Sequence, residues 1–492
     1  MITLLKGGWL AAWDGDRHHI VKGGEVAFED EVIVYAGRRF DGQADRVVDR
    51  PEWFISPGFI NLHAHVGVEL MASVVDVARS GRFAPSEEFA LNAPLFMWPT
   101  LTPEQQRLGA EFSLVQMLRT GTTTVVDAHG YGPIWWLGNP PTDEAFLAEA
   151  VGRIGSRAYL ALGFRSARSY QKADGTRAWH WDEEMGMGLL DAALRFADEH
   201  HKTYGERVQV ILCPHAVDNC SPTLLAATLE AARARNLLTE IHTAHYMGEV
   251  NLIREKHDET PVGHLHNLGV LGPDIILGHC ILTSGHPALG GDPDRDLELI
   301  AAAGSPVAHS PLPFARGGMA MYSLPRYLDH GINVGLGGDI WPADLIEEMR
   351  LAWFLGKHTN GTANRPTCHE VYAAATVGSA DALGRSDLGR LAHGARADIV
   401  CIDLSRYHYG PVLDPVRSLV AFGKGQDVDT VYVEGRMVVE AGSVLNADEE
   451  ELQAAAPGIL ATLARAASER DPQARTLESI LGLVNLGIGD RT

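Results

Sequence analysis

The order of hydrophobic and polar positions divides the chain into three parts. Residues 1–55 hold short apolar runs separated by turns such as Gly23-Gly24, a pattern typical of a small antiparallel unit. From about residue 56 onward, short continuous apolar runs alternate with segments in which apolar positions recur every three or four residues. The continuous runs predict eight buried strands, at residues 55–61, 122–127, 158–163, 208–213, 238–242, 275–279, 306–309 and 333–337.

The periodic segments between these runs predict helices. Residues 103–120 carry their apolar side chains on one stripe, and residues 221–236 begin with Ser221 as N-cap and Pro222 at the first helical position. A succession of strand–helix units favours an α/β fold with a parallel (β/α)8, TIM-like barrel over an open doubly wound sheet. No glycine-rich phosphate loop opens any of these helices, which argues against a nucleotide cofactor.

Beyond about residue 390 the pattern returns to short strands, with a turn at Glu434-Gly435. The N-terminal strands have too few neighbours to bury a face alone, so we expect both chain ends to share one domain. This predicts a discontinuous, small β-sandwich domain from residues 1–55 and 390–445, with the barrel over residues 56–389. Residues 446–492 begin with four acids and are then rich in Ala and Leu, which predicts a C-terminal helical tail.

Composition narrows the class of protein. The chain has 492 residues, 46% hydrophobic and 21% charged, as expected of a soluble globular protein. Its net charge of −22 disfavours nucleic acid and anionic membrane as partners, and no apolar stretch approaches the roughly 18 residues that a membrane span needs. Five cysteines without a CxxC pair predict free thiols. Together with the lack of a signal-peptide pattern, this predicts a cytoplasmic protein.

Ionisable side chains follow the predicted strands at the same end of each. His63 and His65 are two residues apart on the first strand and therefore project to one face. Three further candidates end or follow strands five, six and eight: His242, His279 and Asp339. The carboxyl ends of barrel strands converge on one mouth. Three imidazoles and a carboxylate there suit zinc or a similar divalent ion, although each histidine taken singly could be an ordinary core residue.

The motifs around these residues resemble the amidohydrolase superfamily, in the branch of triazine hydrolases and nucleoside- or base-type deaminases. The resemblance covers nearly all of residues 1–445. The stretches that carry it are PGFINLHAH, LGHC, VAHSP and GINVGLGGD, with LAHGARAD and VEGR later in the chain.

This resemblance implies a metal site and roles for its residues. One divalent ion, with zinc preferred over manganese, cobalt or iron, would be bound by four residues: His63, His65, His242 and Asp339. Asp339 would also take the proton of the attacking water, and His279 would polarise the electrophilic centre of the substrate or contact that water. No lysine ends strand two, three or four, so we expect one metal ion rather than two.

One position departs from the family pattern. Deaminases of this branch usually carry His-x-x-Glu after strand five, and the glutamate gives a proton to a ring nitrogen of the substrate. Here His245 stands in that place, and Glu249 could substitute for the glutamate only if the loop turned back. Imidazole can transfer protons but replaces a carboxylic acid poorly in this task. A catalytic His245 therefore favours hydrolysis of an amide, urea or carbamate, as in relatives that cleave phenylurea and thiocarbamate herbicides; a supporting role for His245 stays open.

Further residues are candidates for substrate contact. After strand seven the chain is apolar with one arginine, which predicts that Phe314 and Arg316 face a partly apolar substrate. The family match adds His215 as a candidate for substrate contact. His129 and Trp135, which the pattern places in loops, are further candidates. The alternatives are a hydrogen-bonding role at a strand end for His215 and simple loop packing for Trp135.

Three functional hypotheses follow. The first is a mononuclear metal-dependent hydrolase that cleaves an amide-, urea- or carbamate-type C–N bond, not a peptide bond, of a small, partly apolar molecule. The second is a deaminase or chlorohydrolase of an N-heterocycle of triazine, pterin, purine or pyrimidine type. The third is a non-catalytic metal- or ligand-binding protein on the same fold. Because relatives are often dimers or larger, we also expect a homodimer or higher homo-oligomer.

Overall fold

A computed structural model describes residues 1–67, 101–128, 145–171 and 177–470. The strands are β1 (Ile2–Trp13), β2 (His18–Lys22), β3 (Glu25–Glu29), β4 (Val32–Gly37), β5 (Arg46–Pro57), β6 (Phe59–Ala64), β7 (Thr122–Asp127), β8 (Arg157–Leu160), β9 (Gly163–Phe164), β10 (Ala167–Gln171), β11 (Arg177–Trp181), β12 (Val208–Val210), β13 (Cys213–Pro214), β14 (Thr239–Thr243), β15 (Ile275–His279), β16 (Val307–His309), β17 (Val334–Leu336), β18 (Ile399–Asp403), β19 (Val428–Val433), β20 (Arg436–Glu440) and β21 (Ser443–Val444).

The helices lie mainly between the strands of the middle part. They are α1 (Pro103–Arg119), α2 (Ala145–Ile154), α3 (Glu183–His200), α4 (Pro222–Arg235), α5 (Met247–His257), α6 (Pro261–Asn267), α7 (Arg295–Ala303), α8 (Pro311–Arg316), α9 (Leu324–Asp329), α10 (Leu345–Asn360), α11 (Cys368–Ala373), α12 (Ser379–Ala382), α13 (Pro415–Phe422) and α14 (Glu449–Arg470). A π-helical turn, Ala374–Gly378, joins α11 to α12, and short turns cover Thr203–Glu206, Tyr407–Tyr409 and Gly425–Asp427.

The two ends of the chain meet in one sheet. Its nine strands run in the order β21-β20-β19-β18-β5-β1-β3-β4, with β2 paired to β1. The joint is the antiparallel pairing of β18 with the second half of β5, from Ile399 opposite Pro57 to Asp403 opposite Trp53. Both chain ends therefore share a sheet, as the sequence predicts. It is one continuous sheet, however, rather than the two separate facing sheets of the predicted β-sandwich.

The middle of the chain is built from parallel strands. Strands β12-β8-β7-β6 form one four-stranded sheet and β14-β15-β16-β17 another, while β13 pairs with β9. Isolated parallel bridges connect these pieces at Leu212–Thr239, Ala216–His242 and Ala64–Asp339. As a result, the carboxyl ends of β6, β14, β15 and the segment after β17 lie at the same edge.

Local sequence signals account for several element bounds. Strands β7 and β15 have the predicted limits. Helix α4 begins with Pro222 after Ser221, whose hydroxyl accepts the backbone N–H of Leu224. The third and fourth predicted strands each appear as two short strands, because β9 and β13 pair with one another after a break. The hairpin of β10 and β11 and the edge strand β2 have no counterpart in the prediction.

The helical tail packs on the body of the protein. Gln105 of α1 donates its side-chain amide to Thr462 of α14 at 3.1 Å, and Arg119 forms an ion pair with Glu449. Helix α14 continues through Pro457. All five cysteines are buried and free. Among the residues that the structure describes, no helix combines the length and apolar character needed to cross a bilayer.

Candidate metal centre and active site

Backbone hydrogen bonds bring together residues far apart in the chain. The N–H of Asp339 donates to the carbonyl of His63 at 2.8 Å, and the N–H of His65 donates to the carbonyl of Asp339 at 3.1 Å. Asp339 has a φ of 54°, in the left-handed region that non-glycine residues rarely adopt. This turn places its carboxylate directly beside the imidazoles of His63 on β6 and of His65 just after it.

Four donor atoms of the predicted ligands converge. Asp339 Oδ1 lies 3.3 Å from His63 Nε2 and 3.2 Å from His65 Nε2. His65 Nε2 in turn lies 3.3 Å from His242 Nε2. The four residues are buried or nearly so. The structure thus brings together the four residues that the sequence proposes as ligands.

The donor set fits a divalent cation. Tetrahedral zinc has bonds of about 2.0–2.2 Å to nitrogen and oxygen, which implies ligand atoms about 3.3–3.5 Å apart. The three separations of 3.2–3.3 Å match three edges of such a tetrahedron. Within a wider limit of 4.8 Å, the donor atoms fall into two groups that share His63, one with His65 and Asp339 and one with His242 and His279. Neutral imidazole nitrogens and a carboxylate are also ligands that zinc prefers.

Hydrogen bonds orient two of the imidazoles. His63 Nδ1 lies 2.5 Å from Oε1 of Glu240, and His242 Nδ1 lies 2.6 Å from the carbonyl oxygen of His215. Since carboxylate and carbonyl oxygens only accept, both Nδ1 atoms carry hydrogen and both Nε2 atoms are left for a metal. Glu240 is fully buried on β14. The sequence prediction does not include it, although its position two residues before His242 puts both side chains on one strand face.

The pKa shifts differ among the members of the cluster. Burial alone would raise the pKa of Asp339, but hydrogen bonds from His63 and His65 hold it well below its usual range. Burial would lower the pKa of His63, yet the Glu240 and Asp339 carboxylates outweigh it and raise that pKa to about 10. Burial, reinforced by the neighbouring histidines, depresses the pKa of His242 far below its ordinary value.

His279 stands beside the ligand cluster. One of its ring nitrogens belongs to a group with His63 and His242 in which the donor atoms lie within 4.8 Å of one another. Its ring centroid is 4.4 Å from that of His63 and 4.8 Å from that of Phe314. Burial is the main cause that depresses its pKa well below the usual value, so the ring is neutral. The structure therefore places the predicted residues His279 and Phe314 together at the site.

His245 lies on the same side, and Glu249 holds it in place. The loop after β14 turns back so that Glu249 Oε2 accepts the His245 backbone N–H at 2.9 Å and contacts its Nδ1 at 2.7 Å. The other oxygen, Oε1, accepts the N–H of Ala244 at 2.8 Å. The His245 ring lies 5.6 Å from that of His242 and 5.8 Å from that of His279. A histidine backed by a buried carboxylate thus lies at position 245, where the resemblance implies a glutamate in deaminases of the branch.

The remaining predicted contacts fall in different surroundings. His215 follows β13, with its ring 5.1 Å from that of His242. Arg316 is exposed at the end of α8, the helix that carries Phe314. His129 and Trp135 lie outside the described residues. The substrate role of each of these four residues stays a prediction.

A further buried carboxylate borders the site. Asp127, at the end of β7, accepts the N–H of Val66 at 2.9 Å and so fixes the chain just after His65. Burial raises its pKa well above the usual value. The predicted strand 122–127 ends at Asp127, and this position at a strand end is the sequence signal that could have identified Asp127 as a site residue.

Comparison with known proteins identifies relatives over nearly the whole chain. The amidohydrolase family profile matches residues 54–438. A 5-methylthioadenosine/S-adenosylhomocysteine deaminase of Thermococcus kodakarensis is 31% identical over 446 residues, which are 89% of this chain and 94% of that protein.

Solved structures share the fold at lower identity. A zinc-bound adenosine deaminase from Xanthomonas campestris has a TM-score of 0.77 at 22% identity and covers 94% of this chain and 98% of its own. An atrazine chlorohydrolase from Arthrobacter aurescens, complexed with zinc, has a TM-score of 0.77 at 24% identity and covers 93% and 100%. The predicted resemblance to the branch of triazine hydrolases and nucleoside-type deaminases is confirmed. The chain belongs to the amidohydrolase family.

Proposed function

We propose that this enzyme is a mononuclear, zinc-preferring hydrolase that removes the amino group of an N-heterocycle, with adenine nucleosides as the first substrate class. The observation that carries the proposal is the set of three contacts of 3.2–3.3 Å that joins His63 and His65 to Asp339 and His65 to His242. The chain that holds them matches a nucleoside-type deaminase over 89% of its length. Hydrolysis would replace the exocyclic C–N bond by a C–O bond and release ammonia.

The heterocycle hypothesis replaces the amide, urea or carbamate hypothesis as the leading one. That preference depended on His245 standing where deaminases of the branch have glutamate. The curated relative described above is a deaminase, and Glu249 supplies the missing carboxylate behind His245. The retained ligand set also makes a non-catalytic binding protein the weakest of the three hypotheses.

Each polar group has a place in the proposed reaction. A bound divalent ion would lower the pKa of water at the site to about 7. The Asp339 carboxylate, ionised and beside the ligand nitrogens, would accept the proton of that water. Neutral His279 would hydrogen-bond the atoms that change charge at the attacked carbon. His245, with Nδ1 bound by Glu249, would use Nε2 to exchange a proton with the ring nitrogen or the departing amine.

We also propose the larger architecture as part of this function. The parallel strands, joined by the bridges at Leu212–Thr239 and Ala64–Asp339, would form a closed (β/α)8 barrel whose mouth holds the site. Residues 1–55 and 390–445 would form the discontinuous β domain, and residues 446–492 the helical tail. A small-molecule substrate and a homodimer or larger assembly belong to the same proposal.

A substrate screen with metal analysis tests the proposal. Purified protein is expected to contain one zinc per chain and to release ammonia from 5′-methylthioadenosine, S-adenosylhomocysteine or 5′-deoxyadenosine. Phenylureas, anilides and carbamates serve as comparison substrates, and Asp339→Asn protein reports contaminating activity. Turnover of a urea or amide without turnover of any heterocycle would return the first hypothesis to the lead.

A substitution at His245 separates two forms of the hypothesis. If His245 does the work of the family glutamate, His245→Glu protein should retain or raise ring deamination. Loss of at least tenfold in kcat/KM would instead show that the pocket requires imidazole. Glu255→Gln, on the exposed face of α5, serves as the matched surface variant and should leave kcat/KM unchanged.

A further inference from the structure

The loop that carries His215 contains an amide whose orientation is fixed. Oδ1 of Asn219 accepts the backbone N–H of Ala216 at 3.1 Å and lies 3.6 Å from the Cys220 thiol. Because a backbone N–H can only donate, this end of the amide must be its oxygen. The Nδ2 group is therefore the end that faces the imidazole of His215, at 2.7 Å from Nδ1.

This contact determines where the hydrogen of His215 lies. An amide NH2 group donates, so His215 Nδ1 must accept and carries no hydrogen. The hydrogen of the neutral ring then lies on Nε2. A protonated ring would point an N–H of Nδ1 at the amide NH2 group, so the contact also requires a neutral ring.

Other hydrogen bonds fix the position of the same loop. The carbonyl of His215 accepts from His242 Nδ1, and the N–H of His215 donates to the carbonyl of Phe164 at 2.8 Å. The hydroxyl of Tyr246 donates to the carboxylate of Asp218, which ties this loop to the one that holds His245. The ring of His215 is thereby set at a constant place relative to the metal ligands.

We propose that Asn219 is a positioning residue that locks His215 as a hydrogen-bond donor at Nε2, so that the pocket selects a heterocycle with an acceptor atom, an unprotonated ring nitrogen or a carbonyl oxygen, facing His215. The selection of a heterocycle rests on the proposed function. The lock itself is a property of the protein alone. His215 and Asn219 thus contribute to which ring is accepted rather than to the attack of water.

Nitrogen NMR of histidine-labelled protein tests the lock without any substrate. The signal pair that vanishes in His215→Gln protein is assigned to His215. We expect an unprotonated Nδ1 and a protonated Nε2 in the unmodified chain. A protonated Nδ1 at neutral pH would overturn the proposal.

The variant Asn219→Asp reverses the polarity of the contact with a change of one side-chain group. A carboxylate only accepts, so the hydrogen of His215 should appear on Nδ1. Asn236→Asp, at the exposed end of α4, is the matched control and should leave the His215 signals unchanged. Unchanged signals in Asn219→Asp protein would contradict a lock by this residue.

Ring analogues test the selection. Each analogue replaces one ring nitrogen of a turned-over heterocycle by C–H, and one of them should raise KM by about three- to tenfold with little change in kcat. Asn219→Asp should abolish this difference between nitrogen and C–H, whereas Asn236→Asp should preserve it. Equal penalties in both variants would refute selection through Asn219. If no heterocycle is turned over, the proposed function fails while the NMR result still decides the lock.

Discussion

Two buried polar clusters lie at opposite ends of the parallel strands and differ in how their charges are arranged. At the carboxyl ends, Asp339 Oδ1 lies 3.3 Å from His63 Nε2 and 3.2 Å from His65 Nε2, and His65 Nε2 lies 3.3 Å from His242 Nε2. At the amino end of β8, the guanidinium of Arg157 forms ion pairs with the carboxylates of Asp398 and Glu434, the latter at 2.9 Å.

The difference separates a binding site from a structural joint. The Arg157 cluster contains opposite charges joined to one another by hydrogen bonds, and it links β8 to the sheet formed by the chain ends. In the other cluster, electron-pair donors face one another, and their mutual repulsion is relieved only by a cation or a proton. The cluster of converging electron-pair donors is therefore the candidate for binding a cation, whereas the cluster of paired charges around Arg157 is expected to stabilise the fold.

The largest effect is expected from the converging cluster. Asp339→Asn keeps the size of the side chain but removes the charge that binds metal and accepts a proton. Since positioned acid–base groups contribute about 10²–10⁴-fold, we expect kcat/KM for the best substrate to fall by roughly 10³-fold or more. Steady-state kinetics with metal analysis of the same sample checks it; near-normal turnover would contradict the role of Asp339.

Arg157→Leu should destabilise the fold, although Arg157 is not one of the proposed active-site residues. It leaves two carboxylates buried without their principal partner, a change that costs about 3–5 kcal/mol. Urea unfolding measures the loss. The control is Arg233→Leu, which breaks the exposed pair with Asp274 and should cost at most about 1 kcal/mol. Equal losses in the two variants would mean that the Arg157 cluster is not a structural joint.

Glu240→Gln tests whether the Glu240 carboxylate supports the proposed ligand His63 through its Nδ1 atom. The amide can no longer act as a charged acceptor for His63 Nδ1, and loss of such outer contacts typically weakens metal affinity or activity about 10–100-fold. Competition with a zinc chelator measures the affinity. Glu230→Gln, on the exposed face of α4, is the control. Unaltered zinc affinity in Glu240→Gln protein would show that this carboxylate does not contribute to metal binding.

Metal affinity should also depend on pH. Without metal, the raised pKa of His63, about 10, keeps that ring protonated at neutral pH, and a ligand nitrogen must lose its proton to bind. Binding then releases one proton, so affinity should rise about tenfold per pH unit between roughly pH 7 and 9. Chelator competition across this range measures the slope. A flat profile would show that His63 binds no metal or carries no proton in the metal-free site.

The sequence predicted the position of several strands, and it proposed neighbouring residues for the site, but it did not predict the polar groups around them. Strands β7 and β15 could be placed because continuous apolar runs end at polar residues, and His63 and His65 because they alternate on a strand. Glu240 and Asn219 could not be placed, because their roles depend on which loop lies opposite. For Glu249 the sequence offered only a condition, that the loop after strand five turns back. The same holds for the pairing of Arg157 with Asp398 and Glu434, which are more than 200 positions away in the chain. Long-range polar contacts of this kind leave no periodic signal.

The most direct test of the central claim is anomalous X-ray diffraction at the zinc absorption edge on crystals of the purified protein. The account predicts one peak per chain, bonded to Nε2 of His63, His65 and His242 and to a carboxylate oxygen of Asp339. An active preparation with no peak there, with two peaks, or with the metal bound elsewhere would contradict it.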